Sequence, residues 1–192
     1  MRSLLTDIVR SAKRVAQLAL LAALATALPA VAEVEKSALS TGDGIQMYWW
    51  PKLPALEGWS PDPVASMQYG NNVLAPAGHS FADADAVIFA NARYKPRLKD
   101  IASLAELIAG DRHDFAERVG GVKVRDAARL QSAYGYALQC LALEPVFPGN
   151  WERVCYLEEG EYYLTFTLRA RSHEAYVAAA RAFETLISRY HE

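Results

Sequence analysis

Two short runs of the chain place histidine and carboxylate side chains close enough together to do chemistry. His79, Asp83 and Asp85 fall within one seven-residue stretch. In an extended segment Asp83 and Asp85 share a side, because side chains alternate with period two. With His79 folded back, one imidazole and two carboxylates form a donor set for a divalent ion. The same residues also fit a turn at Gly78-His79-Ser80 followed by solvated aspartates ahead of a strand. The second run is Asp111, His113 and Asp114, an imidazole with two acids, as a general base and its orienting partner require. A helix start explains those acids equally well, since its dipole favours negative charge. Ser80 and Ser132 lack the Gly-x-Ser-x-Gly context of a nucleophile elbow. Gly120-Gly121 lacks the lysine and spacing of a phosphate loop. His173 and His191 read as solvated surface groups. The residues assign no catalytic group and no cofactor.

Aromatic side chains offer a different kind of site. Tyr48, Trp49, Trp50 and Trp59 crowd into a dozen residues interrupted by prolines. Neighbours on a regular strand point opposite ways, so Trp49 and Trp50 cannot both enter one core from one strand. Either one of them lies in a groove or an interface, or two layers bury both. Exposed tryptophan is enriched where proteins bind one another, which makes these four residues the candidate binding surface.

Cysteine usage and the amino terminus bear on compartment. Arg2, Arg10, Lys13 and Arg14 precede an apolar run from Ala16 to Leu28, and Ala30-Val31-Ala32 follows as a small-x-small cleavage signal. The run, roughly 13 residues, is short for about 30 Å of hydrocarbon. Residues 1–32 are therefore expected to be a cleaved signal peptide, an uncleaved anchor being the alternative, and 33–192 a single domain with no membrane span. Four of the 20 basic and one of the 22 acidic residues lie in that leader, leaving 16 and 21, a net charge of −5. That balance argues against nucleic acid, which needs a basic surface. Cys140 and Cys155 are the only cysteines. An even count in an oxidising compartment favours a disulfide. A hairpin centred between Phe147 and Pro148 sets the two directly opposite, at a Cα separation near 4.5 Å that a disulfide tolerates.

The elements that must position these groups follow from periodicity. Strands are expected at Gly44–Trp50, within Val64–Leu74 and at Ala84–Tyr94, the last buried on both faces. A helix is expected over Leu98–Ala109, stopped by Gly110, with Asp111 capping a second short helix to Arg118. Glu33–Ser40 shows no period. Strands at Tyr136–Leu143 and Trp151–Leu157, then a tight turn at Glu158–Glu161 and a returning strand, set Cys155, Leu157, Tyr162, Leu164, Phe166 and Leu168 on one face. Val154, Tyr156, Tyr163, Thr165 and Thr167 take the other. Ser172 caps a last helix to Tyr190, with Tyr176, Val177, Ala180, Phe183, Leu186, Ile187 and Tyr190 as its buried stripe. The fold class is α+β, a mostly antiparallel sheet covered by helices with a long carboxy-terminal helix.

The run Pro76-Ala-Gly-His-Ser-Phe-Ala-Asp-Ala-Asp-Ala-Val-Ile-Phe89, the amphipathic helix after it, the hairpin and the aromatic-rich last helix resemble a group of poorly characterised secreted bacterial proteins. Their plan is similar to the PsbP-like α/β/α sandwich. The resemblance spans about Ile45 to Tyr190 and implies an accessory or binding module, sometimes with metal ions, and no enzyme. The expected function is a periplasmic or secreted non-catalytic module that recognises a periplasmic or envelope protein. A metal-dependent protein built on His79, Asp83 and Asp85, and an immunity protein that blocks a toxin, are the alternatives.

Overall fold

The computed structural model describes residues 34–41, 44–117 and 121–191, with side chains described at 34 and from 49 onward. The expected signal peptide, residues 1–32, lies outside the described residues. No described helix is long and apolar enough to cross a membrane.

Among the described residues nine strands, three α-helices and a 3-10 turn at Lys95–Arg97 follow one another. Strands β1 (Val34–Thr41) and β2 (Gly44–Pro51) pair as a hairpin. The main sheet holds β3 (Trp59–Pro61), β4 (Asn72–Pro76), β5 (Ala86–Tyr94), β6 (Val122–Gln131), β7 (Ala137–Pro145), β8 (Trp151–Glu159) and β9 (Tyr162–Ala170). Its order is β3-β4-β5-β9-β8-β7-β6, and every neighbouring pair is antiparallel. The helices are α1 (Pro63–Tyr69), α2 (Leu104–Ala116) and α3 (His173–Ser188). This is the α+β class expected, an antiparallel sheet with helices laid against it.

The centre of the sheet is buried on both sides, and strand alternation divides its residues between two cores. Cys140, Cys155, Leu157, Leu164, Phe166 and Leu168 join Phe183, Leu186 and Ile187 of α3, and Tyr190 just beyond it, in one core. Leu141, Leu143, Val154, Tyr156 and Tyr163 join Leu107 and Ile108 of α2 in the other. The division is the one that the alternation around Glu158–Glu161 predicts. Cys140 stands opposite Cys155 in the β7–β8 register. The two form a disulfide with Cα atoms 4.1 Å apart, close to the spacing of a non-hydrogen-bonded pair.

Each core is tied to its helix by an ion pair. Asp111 of α2 is buried and takes two hydrogen bonds from Arg93 of β5, at 3.0 and 3.2 Å. On the opposite face Arg153 donates to Glu184 of α3 at 2.8 Å and to the Ala128 carbonyl of β6 at 2.9 Å. The Ala128 carbonyl is reachable because the β6–β7 register shifts between Ala127 and Leu130.

Several elements differ from the sequence expectation, each for a local reason. The segment 63–69 is helix, not strand. Asp62 caps it by accepting from Ala65 N at 2.9 Å, Pro63 occupies its first turn, and Gly70 closes it at φ +65°. Leu98 and Ile101 lie outside α2, which begins only after Ser103. Ser103 accepts from Glu106 N at 3.2 Å, and Glu106 reaches back to Ala102 N at 2.7 Å. Gly110 therefore sits inside one continuous helix, and Asp111 caps nothing. Strand β6 escaped notice because it is an edge strand with a register shift. Strand β1 showed no period, yet it pairs with β2 along all of its eight residues. In α3 the stripe holds except at Val177, which is exposed, while Ala179 is buried instead.

The disulfide closes a 15-residue separation. Cross-linking a loop of that size stabilises by about 3 kcal/mol, chiefly by restricting the unfolded chain. Replacing Cys140 and Cys155 together by alanine should cost about that much in urea unfolding. Reducing agent should lower the wild-type midpoint and leave the double variant unchanged.

Candidate functional site

Local backbone chemistry decides where the His79 run goes. Residues 80–84 form a turn, in which Asp83 N and Ala84 N both donate to the Ser80 carbonyl. The Asp83 carboxylate closes that turn, accepting from Ser80 N at 2.6 Å and Ser80 Oγ at 2.5 Å. These two bonds, the hydroxyl's first, hold its carboxyl down at about 2 against an ordinary 3.8. His79 Nδ1 lies 3.5 Å from the other oxygen of Asp83, and both side chains are largely exposed. The extended arrangement that would align Asp83 with Asp85 is thus replaced by a turn. Among the described residues no three His, Cys, Asp or Glu side chains gather as a metal-ligand group.

What the turn does instead is bring His79 and Asp85 to the rim of a cavity of about 530 Å³. Trp59 and Pro76, opposite each other in the β3–β4 register, line one side. The first turns of α3 supply another, from Ser172 and Glu174 to Ala179. Ser172 accepts from Ala175 N at 3.1 Å, which starts the helix there and points Glu174 into its first turn. The hollow persists because Ala84, Ala86, Ala175, Ala178 and Ala179 all lack the bulk to fill it. Two groups far apart in sequence, the Trp59 aromatic and the His79 run, meet here. Glu174 and the alanines went unnoticed in the sequence, because nothing in a stretch of alanine marks the space it leaves.

The other candidates are engaged elsewhere. Trp50 is buried, and Trp49 is half-buried, its ring stacked with Tyr94 at 6.2 Å and covered by the Arg97 guanidinium at 4.4 Å. Tyr94 in turn meets Tyr162 at 5.4 Å. The Tyr48 side chain lies outside the described ones. The Asp111 carboxylate is spent on Arg93, while His113 and Asp114 are exposed on α2. His191 is no surface group. Its Nε2 sits 2.9 Å from Glu159 Oε1, whose other oxygen accepts from Tyr190 at 2.9 Å. Tyr136 stacks on the imidazole at 5.0 Å and Tyr134 meets it edge-on at 6.1 Å. The paired tyrosines around Gly135 thereby acquire a structural role, enclosing the last described residue.

A second feature was missed with α1. This helix exposes Val64 and Met67, one turn apart, and Tyr69. The Tyr69 ring rests on Phe81 at 4.8 Å. Asp62 holds both parts together, capping α1 with one carboxylate oxygen and accepting from Phe81 N at 2.9 Å with the other. Those backbone bonds, Ala65's first and then Phe81's, hold its carboxyl below the ordinary range. The cap signature Asp62-Pro63 with Gly70 at the far end was the available clue.

No protein-family model and no curated protein matches the chain. Among solved structures, the cyanobacterial PsbP (CyanoP) of Synechocystis is 16% identical, with 84% of this chain and 93% of that one covered at a TM-score of 0.46. A Pseudomonas aeruginosa protein of unknown function, PA94, is 12% identical over 79% and 92%, at 0.44. The Saccharomyces cerevisiae Ran-binding protein Mog1p is 10% identical over 78% and 84%, at 0.40. No residue role, partner or activity of this chain follows from likenesses of that degree.

A carboxylate whose folded value lies below its unfolded one stabilises at high pH and ceases to do so as it protonates. For Asp83 the stabilisation is complete above about pH 4 and is lost as pH falls toward about 2. Asp83→Asn should therefore unfold more readily than wild type at pH 6. The two proteins should converge near the acid end of that window when unfolding is measured from pH 6 down to 2.

Proposed function

We propose that this chain is a non-catalytic binding module that works outside the cytoplasm and recognises a protein partner. The observation that carries the reading is α1. It presents Val64 at 69%, Tyr69 at 50% and Met67 at 43% exposure from a helix of seven residues. Apolar side chains grouped in solvent are costly to leave uncovered and mark places where another surface docks. The group is also held in place. Asp62, Ser66 and Gly70 fix both ends of the helix, with Ser66 Oγ donating to the Asp62 carbonyl at 2.7 Å and accepting from Val73 N at 3.0 Å. A partner then meets a preformed surface and loses little affinity to ordering.

The Cys140–Cys155 bond supports an oxidising compartment, because thiols stay reduced in the cytosol. The charge of −5 beyond residue 32 favours a partner with a basic rim around an apolar centre. A periplasmic or envelope protein meets both requirements, and a toxin bound by an immunity protein would be one such partner. The metal reading draws less support, since Asp83 is occupied by Ser80.

Affinity capture with the secreted protein tests this. Val64→Asp and Met67→Asp change exposed positions, so the disulfide and the melting temperature should be unchanged. Capture of the wild-type partner should fall by about tenfold or more, as expected when an apolar contact at an interface centre is replaced by charge. Equal capture by both variants would remove α1 as the docking surface.

A further inference from the structure

We propose that the cavity between β3, the 77–85 turn and the start of α3 is a binding site for an organic cation, an alkylammonium group with an apolar stem. The inference stands apart from the α1 surface and does not depend on it.

The lining has one sign of charge. Asp85 and Glu174 contribute two carboxylates, and no lysine or arginine borders the cavity. Among the described residues neither acid has a side-chain hydrogen bond or ion pair. Both side chains are exposed to solvent, as are those of Glu57, Asp100, Asp114 and Glu161. Asp85 also borders a smaller space of about 130 Å³ with Arg169 and Arg171. Arg169 is paired with Glu152, while Arg171 donates to the neutral Ala82 carbonyl and keeps its charge on that side of Asp85. The helix amino terminus at Ser172 would favour an anion, but Glu174 in the first turn offsets that dipole.

The remaining wall is apolar. Trp59 offers an aromatic side chain, the kind on which an ammonium group and its methylenes settle. The alanines leave a floor that a hydrocarbon stem can cover without displacing any side chain. At about 530 Å³ the space lies within the range typical of ligand sites. His79 is turned toward Asp83 and borders the mouth. His79, Asp85 and Glu174 share the lining but do not gather as a metal-ligand group among the described residues, whereas an alkylammonium needs only two carboxylates and a hydrophobic surface. The cation could be a basic side chain of a protein or a free amine, and the chemistry of recognition is the same.

The test is a titration of the secreted protein, labelled with nitrogen-15, followed by NMR at the Trp59 indole and the Ala178 amide. The probes are n-butylammonium, lysine blocked at both backbone ends, and 1-butanol as the neutral counterpart. Both amines should give saturable shifts at these two groups, and 1-butanol should bind at least about tenfold more weakly. Asp85→Asn combined with Glu174→Gln should weaken the amines by about tenfold. Ala178→Leu fills the space from an exposed position and should abolish the shifts with the fold intact. Tighter binding of blocked lysine than of n-butylammonium points to a protein side chain as the source, and the reverse to a free amine. Equal binding of 1-butanol, unchanged affinity in the charge-removed variant, or no saturable shift would each overturn the proposal.

Discussion

The structure depends on the antiparallel register of β7, β8 and β9, a register that must satisfy two cores at once. A strand has a period of two, so a slip of one residue would exchange the two faces completely. Leu157, Leu164 and Phe166 would then face α2, and Val154, Tyr156 and Tyr163 would face α3. Both faces are packed, so no slipped register buries the same groups. The disulfide between Cys140 and Cys155 holds one pair of partners in this register. Arg93 with Asp111 and Arg153 with Glu184 then fix a helix to each side. The other described elements are arranged around a platform that cannot move without undoing both cores.

The features that could recognise another molecule lie away from that platform, where β3, β4 and β5 end the sheet. There the chain leaves regular strands for α1, the 77–85 turn and the beginning of α3. Alternation along β5 separates the two features. Val87 and Ala75 meet Phe81, against which Tyr69 packs, while Ala86 points to the opposite face and lines the cavity. Asp62 and Asp83 shape this region through backbone hydrogen bonds. Its geometry is set by local capping.

What the sequence disclosed follows from how strongly each element is patterned. The β7–β8–β9 unit was legible because turn residues and alternation agree, and because only one hairpin centre opposes the two cysteines. Ser172 and the stripe to Tyr190 marked α3 for the same reason. The start of α2 was misplaced because Leu98 and Ile101 pack into the helix's core from non-helical backbone, continuing its spacing. The capping pattern at Ser103 and Glu106 outweighs that spacing. In α1 seven residues are too few to establish a period, and caps alone define it. The partners of Trp49, Tyr94 and Arg97, lie more than forty residues on, beyond the reach of any local pattern. The cavity was invisible because it is written in alanines, and His191 was misread because its cage comes from Tyr136 and Glu159.

The central functional claim is that α1 is the face a partner covers. Site-specific photo-cross-linking in the producing cells tests it most directly, with a cross-linking amino acid in place of Met67 and a control in place of the exposed Arg129 of β6. The account predicts one discrete adduct from position 67 and none from position 129. Equal labelling from both positions, or none from 67 in a folded and secreted protein, would contradict it.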